Sequence, residues 1–80
     1  MKIKEAVKLR IIELCNENNI TLNSLSYISG MSPTTVYNTV SDKNKNPGVV
    51  SLEKVCDGFE ITLRDFFDTD LFNDIEQEIE

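Results

Sequence analysis

Apolar residues recur along this chain at three- and four-residue spacing between short polar stretches, and that period predicts helices throughout. The first helix spans about 4–18, with Ala6, Val7, Ile11, Leu14 and Cys15 as its inward stripe. Asn18 and Asn19 end it, asparagine being the next best residue after glycine for a left-handed cap. A second helix over 22–29 buries Leu22, Leu25 and Ile28, turns Asn23 and Ser24 outward, and takes Thr21 as its N-cap. Gly30 then supplies the positive φ that turns the chain sharply, and Met31 fills the corner. Ser32 caps a third helix, about 33–41, whose first position holds Pro33, where a missing N–H costs nothing. Val36 and Val40 point inward and Thr39 partly so, which leaves Pro33, Thr34, Tyr37 and Asn38 on the outer face. A fourth helix beginning after Ser51 carries Leu52, Val55, Cys56 and Phe59 inward. Thr62 caps a fifth, in which Leu63, Phe66 and Phe67 close the core.

The C-terminal stretch continues the period. Leu71, Phe72, Ile75 and Ile79 fall on one stripe with acid elsewhere, which predicts a helix from Leu71 that buries all four. An isolated helix of ~10 residues is marginal in water, so this stripe needs a protein surface. Helices one and five offer one, a second subunit offers another, and a third course folds the tail over Lys43 and Lys45. The expected organisation is one domain over 1–68 and an acidic tail over 69–80.

Composition narrows the function. Eighty residues make one small domain, and no apolar run approaches the ~18 residues of a membrane span. The N-terminus MKIKEAVKLR lacks the long apolar stretch of a signal peptide, so a cytoplasmic protein without a membrane partner is expected. Cys15 and Cys56 fall at apolar helix positions and read as buried reduced thiols. With no histidine, no CxxC pair and no glycine-rich phosphate loop, neither an enzyme nor a metal, cofactor or small-molecule ligand is indicated. The net charge of −6 opposes a nucleic-acid partner until its distribution is considered. Residues 1–55 hold seven basic and five acidic side chains, whereas 56–80 hold one basic and nine acidic. The acid is a C-terminal property. Lys2, Lys4, Lys8 and Arg10 read as a solvated face with auxiliary phosphate contact as the functional alternative.

A helix, a glycine turn and a capped second helix make a helix-turn-helix, the unit that places its second helix in a DNA major groove. Leu25, Gly30-Met31-Ser32, Thr35-Val36, the run Lys43-Asn44-Lys45-Asn46-Pro47, Ser51 to Cys56 and Ile61 to Phe67 together resemble the Cro and phage-repressor family of small bacterial regulators, the xenobiotic-response-element type. The resemblance covers about residues 10–72 and implies an all-α, five-helix lambda-repressor-like domain, with the C-terminal helix as an extra element. It also implies a sequence-specific, repressor-like regulator that binds double-stranded DNA as a homodimer. Carried across by position, the base-reading residues are Pro33, Thr34 and Asn38. The backbone-contacting residues are Asn23, Ser24, Thr35, Tyr37, Lys43, Asn44 and Lys45. Asparagine can bond N6 and N7 of adenine, and a threonine methyl or proline ring can pack on a thymine methyl, which implies an A·T-leaning half-site.

The chain departs from the family at several places. Leu22 stands where Gln often contacts phosphate, and Asp42 stands where glycine usually follows the recognition helix. Cys15 and Val40 occupy the positions of a frequent ion pair, implying an apolar contact instead. The alternative function is a protein-interaction module, antitoxin or antirepressor-like, that uses the same fold to hold a partner.

Overall fold

The computed structural model describes residues 1–41 and 48–76. Among them, five α-helices follow one another: α1 (Ile3–Glu17), α2 (Leu22–Ser29), α3 (Pro33–Val40), α4 (Val49–Phe59) and α5 (Leu63–Phe67), and a 3-10 turn over Asp70–Phe72 comes after them. There is no strand among the described residues, only an isolated parallel bridge between Lys2 and Glu76. The expected all-α, five-helix architecture is what forms.

Local chemistry accounts for most boundaries. Thr21 Oγ1 accepts from the Ser24 amide at 3.1 Å and Ser32 Oγ from the Thr35 amide at 3.2 Å, so α2 and α3 each begin on the expected side-chain cap. Gly30 sits at φ 74°, the left-handed value that ends α2 and starts the turn. Thr62 and Asp65 form a reciprocal capping box at the start of α5. Asn19 takes φ 55° after α1, as its residue type foretold. The fourth helix is the exception, starting at Val49 behind Gly48 with no side-chain cap, three residues before the start expected after Ser51.

Ala6, Val7, Ile11, Leu14 and Cys15 of α1 are all buried, and they meet Leu25, Met31, Val36, Val40, Leu52, Val55, Cys56 and Phe66 in one core. Cys15 and Val40 therefore both lie in that cluster. α2 packs most extensively on α4 and then on α3. At the α2–α4 crossing a Cβ on Gly58 would lie 3.0 Å from the Ile28 carbonyl carbon and oxygen, so glycine sets the approach. Burial pushes both cysteine thiols up from their ordinary pKa, which keeps them protonated.

Four apolar or charged assignments are corrected. Ile28 is exposed and Leu22 half-buried, because α2 turns Leu25, Ser26 and Ser29 inward. Small serines permit this: Ser26 donates to the Asn23 carbonyl at 2.7 Å, and Ser29 accepts from the Met31 amide. Leu63 and Phe67 lie at the surface, leaving Phe66 alone of α5 fully in the core. The continuous helix expected from Leu71 does not form over 73–76. Thr69 caps a single 3-10 turn, and the chain then runs back to the N-terminus, where the Glu76 amide donates to the Met1 carbonyl at 2.9 Å. Leu71, Phe72 and Ile75 are half-buried by this route, Phe72 against the rings of Phe66 and Phe67; Ile79 lies outside the described residues.

Arg10 is the fourth correction. It is buried, not part of a solvated basic face, and donates through Nε to the Phe66 carbonyl at 2.7 Å and through a terminal nitrogen to the Asp65 carbonyl at 3.0 Å. Its other terminal nitrogen pairs with Glu13. The planar fork thus ties α1 to the carbonyl end of α5.

Candidate nucleic-acid interface

Core packing decides which side of α3 is left for a partner. Val36, Thr39 and Val40 are buried, and Thr39 further secures its place by donating to the Thr35 carbonyl at 2.8 Å. The remaining positions fall outward in two adjacent rows at one-turn spacing, Pro33 with Tyr37 and Thr34 with Asn38. All four side chains are exposed, Tyr37 to 67% of its surface. Thr35 is exposed too, but its hydroxyl shares a hydrogen bond of 2.9 Å with Ser32, so it is partly engaged in the cap.

The start of α2 lies beside the start of α3. Leu22, Asn23, Pro33, Thr34, Val36 and Tyr37 together line an open cleft of about 370 Å³. This brings Asn23 into the same site as Pro33, Thr34 and Tyr37, whereas Asn38 stands outside it. Ser24 is half-buried, and its hydroxyl accepts from Thr21 within the α2 cap at 3.2 Å. Lys43, Asn44 and Lys45, together with Asp42, lie outside the described residues. Leu22 and Val36 were missing from the expected site. The unusual leucine at the first position of α2 was the available signal for the former.

The electrostatics are equally distinctive. From Asn18 to Ser41, through α2, the turn and α3, no residue carries a formal charge. Within that stretch, the N-termini of α2 and α3 that border the cleft carry partial positive charge. No group of three or more metal-binding side chains occurs among the described residues, and no described helix is long and apolar enough to cross a membrane.

The geometry of a capped helix presented beside its glycine-turned neighbour agrees with comparison to known proteins. The family model for the Cro/C1-type HTH DNA-binding domain matches residues 10–71. The crystal structure of the prophage Lp1 protein 11 is similar at 30% identity, covering 94% of this chain and 100% of that one with a TM-score of 0.80. No curated protein matches. The matched span includes α2, the turn and α3 entire and reaches into the Asp70–Phe72 turn, so the chain belongs to the Cro/C1-type helix-turn-helix family of DNA-binding domains.

Proposed function

We propose that this protein is a sequence-specific, repressor-like transcriptional regulator that lays the helix over 33–41 in the DNA major groove. The observation that supports the reading best is the double row of exposed Pro33, Thr34, Tyr37 and Asn38 over a closed core. Pro33, Thr34 and Asn38 would face the bases. Asn23, Ser24, Thr35 and Tyr37, with Lys43, Asn44 and Lys45 of the following segment, would face the backbone. Two copies would read half-sites about 34 Å apart, and the exposed Leu63 and Phe67 of α5 offer them an apolar contact. On this reading 69–80 is an acidic appendage to a cytoplasmic DNA-binding domain over 1–68.

Electrophoretic mobility at low salt with random and A·T-rich duplexes tests the proposal. Retardation of both, stronger for the A·T-rich duplex, is the expected outcome; no retardation of either would overturn it. One observation favours a second reading, a protein-interaction module of the antitoxin or antirepressor kind. Tyr27 on α2 is 81% exposed beside a charge-free face, a surface well suited to an aromatic contact with protein. Failure to retard any duplex would point there.

A further inference from the structure

The exposed row of α5, Leu63 and Phe67 one turn apart, is not left open by the rest of the chain. Just past α5 the Thr69 amide donates to the Phe67 carbonyl at 3.0 Å, a tight reversal that sends residues 69–76 back across α1 as a strap. Its near anchor is Phe72, whose ring stands edge-on to Phe67 with centroids 4.8 Å apart and reaches the buried Phe66 at 6.1 Å. Its far anchor is Glu76, held through backbone and carboxylate to Met1 and through carboxylate to Lys2. Between the two, Leu71 and Ile75 are half-buried.

The far anchor is light, because both members of its ion pair are open to solvent, where such pairs hold weakly. The charge of the strap is one-sided. Asp68, Asp70 and Asp74 are exposed, and residues 68–80 contain no basic side chain. In a two-fold pair each patch meets its own equivalent, so copies meeting at Leu63 and Phe67 with straps closed would carry these carboxylates toward their counterparts. Like charges so juxtaposed repel. A closed strap thus opposes a second copy twice, by taking one side of the Phe67 ring and by bringing acid to the contact.

We infer that the strap over 69–76 is an autoinhibitory cover on α5, and that two copies pair through Leu63 and Phe67 when it lifts. The inference rests on the homodimer reading proposed above and deepens it by naming what holds the copies apart.

The test uses the full chain in sedimentation equilibrium, alone and with a duplex enriched from a random-sequence pool. Phe72→Ala removes the near anchor and Glu76→Gln the far one, with thermal melting to check that each still folds. Both should tighten self-association, Phe72→Ala by roughly tenfold, the scale of one aromatic contact. Lys2 and Glu76 form a parallel bridge, so Lys2→Cys with Glu76→Cys fastens the strap by a disulfide, the native Cys15 and Cys56 being buried. The oxidised chain should stay monomeric at concentrations where its reduced form pairs, and this contrast decides alone should Phe72→Ala fail to fold. Leu63→Ser added to Phe72→Ala should abolish the gain. Looser pairing in Phe72→Ala would overturn the cover and make Phe72 part of the contact itself. Equal pairing of the oxidised and reduced chains, or pairing indifferent to Leu63→Ser, would overturn it too, and each leaves the homodimer reading standing. No pairing in any form, free or on DNA, would overturn that reading and the cover with it.

Discussion

Asn38 stands one turn beyond Thr34 on the exposed side of α3, outside the apolar cleft, where its carboxamide is open to a hydrogen-bonding partner. Asn38→Ala should weaken binding to the preferred site by about 1–3 kcal/mol and relax preference at one base pair, whereas Lys45→Ala should weaken all duplexes alike. Competition titrations against single-base variants measure both, and an equal loss on every sequence would remove Asn38 from base reading. A second residue tests backbone chemistry. Glu60 ends α4 at φ 59°, a left-handed conformation that costs an ordinary L-residue roughly 1–2 kcal/mol. Glu60→Gly should therefore raise stability by about 1 kcal/mol and the melting temperature by about 4–8 °C. An unchanged melting temperature would mean that the glutamate side chain offsets its own backbone strain.

The elements show which parts of the sequence carry their own instructions. α2, the turn and α3 were legible because Thr21, Gly30, Ser32 and Pro33 each act within one turn of chain, through a cap, a positive φ or a fixed φ. α4 was placed late because no side chain caps it, and Ser51 is a plausible cap that the structure does not use. The tail misled for a different reason: the stripe of Leu71, Phe72 and Ile75 is half-buried by one 3-10 turn and a bend that returns the chain to Lys2, which a helical period does not distinguish from a helix. In the candidate site, the outward rows of α3 followed from its buried valines, whereas the cleft depends on how α2 and α3 are placed side by side. Arg10 was misread because charge outweighed position; it lies three residues after Val7 and four before Leu14, on the apolar stripe itself. Its two carbonyl partners belong to α5, and the Asp65 carbonyl also accepts from the Asp68 amide, so Arg10→Met should remove the buried donor to the Phe66 carbonyl and destabilise by about 2 kcal/mol in urea titration. Arg10→Lys should recover little of this, since an ammonium lacks the planar fork that reaches both carbonyls. Full recovery by lysine would show that charge, not geometry, holds α1 to α5.

For the whole molecule, the two described ends of the chain meet, with the Met1 amino group 2.8 Å from a Glu76 carboxylate oxygen and the Lys2 ammonium 3.9 Å from the other. The hydrogen bond to the amino group, with its charge, lowers the Glu76 pKa from its ordinary 4.5, and the same hydrogen bond raises that of the amino group from 8.0. A depressed carboxyl favours the closed ends above its unfolded value and loses that contribution as pH falls through the folded one. A raised amine favours them below its unfolded value and loses its contribution as pH rises through the folded one. The closure should therefore be tightest between about pH 5 and 7.5. Amide exchange at Glu76 should be slowest in that window after correction for intrinsic rates, and protection independent of pH would count against the ion pair. The charge-free stretch from Asn18 to Ser41 bears on salt: with ~3 to 4 phosphates neutralised per subunit, the log–log salt slope should be near −3, and a slope near −8 would mean a much larger ionic contact. On the proposed DNA-binding reading, that same stretch would govern how long the protein stays. On the DNA-binding reading proposed above, helices α2 and α3 without a formal charge would gain little steering from the field of the duplex, so arrival should be slow, on the order of 10⁵–10⁶ M⁻¹s⁻¹, and differences among sites should be written in the departure rate. Occupancy of a site would then be a matter of residence time, lengthened or shortened by each methyl and amide contact that has to be broken on leaving.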